Sequence, residues 1–149
     1  MEMKRKSLVN IHITATIVAA LTITTFFTIS LIAELRSDIT FIKQVKYFIV
    51  CALPAMIIVM PILNISGTKL AGKSQNIIVL SKKRRMKWIL INGIGLISLA
   101  TFLFYQSHYH TINGVFFTAL IAEFIFGFTN LCLIALNTKS GFKLSGRIK

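Results

Sequence analysis

The sequence predicts an all-α, polytopic membrane protein: four transmembrane helices in an antiparallel bundle with both termini cytoplasmic. Three observations carry this expectation. Hydrophobic residues make up 55% of the 149-residue chain and charged residues only 14%, with twelve phenylalanines, more apolar surface than a water-soluble domain of this size hides. The apolar residues fall in four blocks, each near or above the roughly 20 residues that cross a hydrocarbon layer about 30 Å thick. Basic residues gather at alternate block ends, as they do on the cytoplasmic side of membrane proteins. Four crossings leave no room for a folded soluble part, so residues 1–149 read as one domain.

The first span covers about residues 11–33, between Lys4, Arg5 and Lys6 on one side and Glu34 and Arg36 on the other. Its length, and the lack of a small-residue cleavage pattern after it, point to a retained helix rather than a removed signal. The stretch "ELRSDITFIKQVKYF" reads as a turn and an interfacial helical approach, with Tyr47 at headgroup level.

The second span, about 48–63, holds Pro54 and Pro61 seven residues apart. Each proline removes a backbone donor, so a bent helix held by packing is expected. Residues 64–87 form the largest connection. Its small, polar start suits a loop, "NIIVL" lies shallowly in the interface, and "KKRRMK" forms a positive collar before Trp88. The third span covers about 88–105. The short polar turn "QSHYHTING" leads to the fourth, about 115–136, and a basic tail.

Orientation follows from the charges. With both ends inside, the cytoplasmic side holds Lys4, Arg5, Lys6, Lys69, Lys73, the basic residues of "KKRRMK", Lys139, Lys143, Arg147 and Lys149. Only Arg36, Lys43 and Lys46 remain outside. The net charge of +13 is thereby explained by collars beside apolar spans, without nucleic acid, for which no base-reading fold or aromatic-basic groove is present. Lys82, Lys83, Arg84, Arg85 and Lys87 are expected to contact anionic lipid headgroups. The strong inward bias favours a bacterial inner membrane.

The remaining information lies in polar side chains within the spans. Glu123 is one of only four acidic residues in the chain and sits roughly 12 Å below the outer start of the fourth span. A carboxyl facing lipid is costly, so it should face the bundle, a partner or a polar cavity. Gly127, Asn130 and Asn137 share its helical face. Together with Gly93 and Gly95 of the third span, and the two prolines, Gly127 is a helix-packing position.

Depth sorting predicts a middle layer of Glu123, Thr22 or Thr24, and Ser98, and a cytoplasmic-side layer of His12, Asn64, Asn92 and Asn130. Glu123 itself reads as a neutral carboxyl hydrogen-bonded to a hydroxyl. Proton, ion or cationic-substrate handling and contact with a second protein are its functional alternatives.

Cys51 and Cys132 read as small buried hydrophobes, with no zinc or disulfide pattern around them. His12 falls on the cytoplasmic side and His108 and His110 in the outer turn, so a bis-histidine haem is not expected; haem b with mixed ligation, or a quinone, remains the cofactor alternative. The lone HxH offers too few ligands for a dedicated metal site. Signatures of phosphate binding, metalloproteases and serine hydrolases are missing, and Ser66 falls in the loop with no histidine near it in sequence. An enzyme is therefore not the favoured class. The leading expectation is a non-catalytic accessory or assembly subunit of a membrane complex, or a homodimer. A small transporter using Glu123 and a redox subunit stand behind it.

Overall fold

The computed structural model describes residues 5–146. It consists of four α-helices, α1 (Arg5–Arg36), α2 (Ile39–Ala71), α3 (Ile77–Tyr109) and α4 (Gly114–Leu144), each long and apolar enough to cross a membrane. At 1.5 Å per residue these helices are roughly 46–50 Å long, against about 30 Å of hydrocarbon. Every helix therefore outruns the apolar layer and carries charged residues on its own helical extensions.

Short polar caps separate the helices. The Asp38 carboxylate accepts from the backbone N–H of Thr40 at 2.9 Å and of Phe41 at 3.4 Å, Asn76 accepts from Ile78 at 2.8 Å, and Asn113 accepts from Val115 and Phe116 at 3.0 and 3.4 Å. Each satisfies donors that a helix start leaves without intrahelical partners. At the other end of α2, Gly72 takes a φ of +51° and donates its N–H to the Thr68 carbonyl at 3.1 Å, stopping the helix where a side chain would be strained.

These boundaries revise the sequence expectation. The 64–87 connection is mostly helix: α2 runs on to Ala71, α3 begins at Ile77, and the basic run lies within α3. The polar turn likewise shortens to residues 110–113, because Gln106 to Tyr109 complete α3. Residues 39–47 are not a separate interfacial piece but the first turns of α2. Lys4, Arg147 and Lys149, which contribute to the charge asymmetry, lie outside the described residues.

α1 packs on α2 and α4, and α3 packs on the same two, while the diagonal pairs make no close backbone approach. The buried positions show how these faces are chosen. On α4 they are Phe116, Leu120, Glu123, Gly127, Asn130, Ile134, Asn137 and Ser140, alternating steps of four and three as far as Asn137. On α2 they include Val45, Ile49, Leu53, Met56, Met60 and Leu63. Spacings that average near 3.5 residues keep one seam facing its neighbours along a gently supercoiled helix.

Hydrophobicity does not mark this seam, because only 22–28% of each helix's most apolar window is buried. Leu21, Ile58, Ile94, Ile121 and Phe128 all lie on the outside. An exterior this apolar is suited to lipid rather than water.

Two other expectations are corrected here. Pro54 and Pro61 are exposed, and α2 continues as one helix through both, so they lie off the seams between these four helices. Cys51 and Cys132 are also exposed, because both fall off the 3–4 seam.

Candidate functional site

The interior charge site lies where α1, α2 and α4 converge. Glu123 follows Leu120 and precedes Gly127 on the seam of α4, which turns its carboxylate inward with 9% of the residue exposed. Lys46 reaches it from α2. Its Nζ donates to Glu123 Oε2 at 2.7 Å and to Ser30 Oγ of α1 at 3.1 Å, and at 1% exposure it is among the largest fully buried side chains. This is the one ion pair among the described residues.

Buried charges are tolerated when they are paired and hydrogen-bonded, and removing one partner strands the other. The lysine's four-carbon stem also explains how helices whose backbones stay apart are joined. Lys46 spans the diagonal from α2 to α4 and collects a hydroxyl from α1 on the way.

Glu34, near the end of α1, is half-buried close to this pair, and its Oε1 is enclosed with no hydrogen-bond partner among the described residues. A cavity of about 50 Å³ borders Glu123. Its walls are apolar apart from the glutamate, including Ile23, Ile49, Met56, Gly93 and Gly127. Phe27 and Phe124 meet edge to face at 5.1 Å beside it, and a β-carbon on Gly127 would come 3.4 Å from the Phe27 ring. Gly127 thus lets an aromatic ring of α1 lie against the backbone of α4.

The expected middle layer is therefore replaced. Thr24 and Ser98 are exposed and Thr22 only half-buried, and Ser98 donates to the Ile94 carbonyl of its own helix at 3.1 Å, a common use of a hydroxyl in a membrane helix. Glu123 pairs with an ammonium rather than a threonine or serine. Lys46, counted in the sequence only among the charges of the outer membrane side, is buried in the bundle because it shares the α2 seam with Ile42, Ile49 and Leu53.

The layer of His12, Asn64, Asn92 and Asn130 is not assembled either. His12 Nδ1 lies 3.0 Å from Ser66 Oγ, and Ser66 donates to the Leu63 carbonyl at 3.2 Å. Ser66 is thus a buried helical residue beside a histidine rather than a loop residue far from one. Asn64 and Asn92 are half-buried. Asn130 is fully buried, and neither amide atom finds a partner among the described residues.

Of the glycines, Gly93 faces Met60 of α2 and Gly95 faces Phe126 of α4. Added β-carbons would lie 2.7 Å and 2.6 Å from those side chains. Gly67, which the sequence reading did not single out, sits under Met86 and the His12 ring.

At the end where α3 begins, Arg85 donates from Nη1 to Asn137 Oδ1 at 3.3 Å and to Ser140 Oγ at 3.1 Å. Asn137 Nδ2 donates to the Lys82 carbonyl at 3.5 Å. The basic run is therefore divided. Lys82, Lys83 and Arg85 are half-buried, whereas Arg84 and Lys87 are exposed.

His108 is held at the opposite end, 3.0 Å from the Phe104 carbonyl and 3.1 Å from Ser107 Oγ, and His110 follows in the connection to α4. No pair of histidines faces across the interior. No group of three or more metal-ligating side chains occurs among the described residues.

Lys46, Ser30 and Ser66 were the residues missed. The signal for Lys46 and Ser30 was register: Lys46 lies four residues after Ile42, and Ser30 three before Ala33, on the buried faces. Compared with protein-family models, curated proteins and solved structures, the chain shows no match.

Proposed function

We propose that this protein is a small four-pass antiparallel helix bundle of a bacterial inner membrane, with both termini cytoplasmic. In this reading it acts as a non-catalytic accessory or assembly subunit of a larger membrane complex, or as a homodimer. The observation that carries the reading is the use made of Glu123. Its carboxylate is spent on a closed interior contact that joins α1, α2 and α4 through Lys46 and Ser30, next to a cavity of about 50 Å³. Such a pair favours one defined helix arrangement, which suits a protein that presents a fixed apolar exterior.

The orientation rests on the basic residues at the α2–α3 connection and along the first turns of α3. Extraction of the tagged chain from its native membrane into nanodiscs, followed by mass measurement, tests the role. A stoichiometric second protein or second copy is expected, and repeated recovery of a lone monomer would sink the reading.

One observation favours a second reading, proton or cationic-substrate movement through Glu123. The enclosed, unpartnered Oε1 of Glu34 stands near the Lys46–Glu123 pair, so a second carboxyl is placed where a proton or cation could be exchanged. Proteoliposomes loaded with a pH-sensitive dye distinguish the two. Flux that disappears in both Glu34→Gln and Glu123→Gln supports transport, and absence of flux in the wild type removes it.

A further inference from the structure

We propose that the end of the molecule where α3 begins contains a defined phosphate-binding site, built from Lys82 and Arg85 of α3 where they face α4. This inference is independent of the accessory role. Three features of the geometry support it.

The first is uncompensated charge. The acidic side chains among the described residues, Glu34, Asp38 and Glu123, all belong to the opposite half of the structure, and Lys46–Glu123 is the only ion pair. Lys82 and Arg85 thus lie together, one turn apart on α3, without a counterion among the described residues.

The second is preorganisation. Arg85 is oriented by two neutral acceptors on α4, Asn137 and Ser140. Both contacts are made by Nη1, so the guanidinium keeps its full charge and further N–H donors for an anion. Lys82 Nζ lies 3.4 Å from the place a β-carbon would take on Gly141, so a small residue of α4 makes room for the ammonium.

The third is segregation. Arg84 and Lys87, in the same run, point outward and offer only diffuse attraction to an anionic surface. A guanidinium fork beside an ammonium point charge is the chemistry that recognises a phosphate. Two sources present that group at a membrane surface, the phosphodiester of an anionic lipid and free inorganic phosphate.

The test uses the full chain and measures thermal unfolding. One arm compares nanodiscs of phosphatidylcholine with nanodiscs containing phosphatidylglycerol. The other compares phosphate with chloride in detergent at equal ionic strength. The double variant Lys82→Gln/Arg85→Gln is set against Arg84→Gln/Lys87→Gln, which removes the same charge from the outward face.

Anionic stabilisation is expected in the wild type and the outward control, and its loss in the inward double variant. A shift confined to phosphatidylglycerol identifies a lipid headgroup, and a shift with phosphate in detergent as well identifies a site open to the free anion. Because Arg85→Gln also removes bonds to α4, Lys82→Gln alone is the second variant. Its side chain has no hydrogen bond to lose among the described residues, and the substitution should reduce the shift by about half. No shift in the wild type, or equal loss in inward and outward variants, would overturn the proposal.

Discussion

Lys46 Nζ and Glu123 Oε2 stand 2.7 Å apart, joining two helices whose backbones make no close approach. The long lysine stem crosses the interior so that a charge from α2 is neutralised on α4, and Ser30 on α1 takes a second ammonium hydrogen. Three helices are thereby tied at one level. Between lipid-facing helices, where apolar burial gives little drive for association, polar contacts of this kind help specify which faces meet.

Close helix approach at Gly67 should be the least tolerant of added volume. A β-carbon there meets Met86 and comes within 2.9 Å of His12 Cε1, and that ring is held by Ser66. Gly67→Ala is expected to cost roughly 1–3 kcal/mol. Gly93→Ala meets only the flexible end of Met60 and should cost less. Thermal unfolding in one detergent checks the order, and equal losses would show that the His12 ring yields as easily as a methionine methyl.

Asn130 presents the opposite situation, a fully buried amide without a partner among the described residues. An unmet buried polar group costs about 1–3 kcal/mol. Asn130→Leu, similar in size, is therefore expected to leave stability unchanged or raise it. A marked fall in the unfolding midpoint would mean that the amide serves a ligand or partner that the isolated chain lacks.

The threading can be read by cysteine labelling. In a Cys51→Ala/Cys132→Ala background, Thr111→Cys in the α3–α4 connection should react with a membrane-impermeant maleimide on intact cells. Ser74→Cys in the α2–α3 connection should react only after permeabilisation. The reverse pattern would invert the orientation deduced from the charges, leaving the fold itself intact.

Much of the fold was legible in the sequence because lipid demands long apolar helices. Glu123, Gly127, Asn130 and Asn137 could be grouped by spacing, since a helix brings positions three and four apart onto one side. Helix ends were harder to read. Lys69, Lys73 and the basic run resemble loop composition, yet α2 and α3 continue through most of that stretch, because a helix emerging from a bilayer can carry its charges into the headgroup region. Once α2 is extended back to Ile39, Lys46 falls on the buried seam and becomes the partner that Glu123 needed. Asn64 and Asn92 share a depth with His12 and Asn130, but depth does not fix rotation about the helix axis, which packing decides.

A double-mutant cycle on Lys46 and Glu123 tests the account most directly. Lys46→Met and Glu123→Leu should each cost roughly 3–5 kcal/mol, because each leaves an unpaired charge in the interior, while the double variant should recover most of that loss. Single losses that simply add, or single variants as stable as the parent, would contradict an interior in which these two side chains hold the helices together.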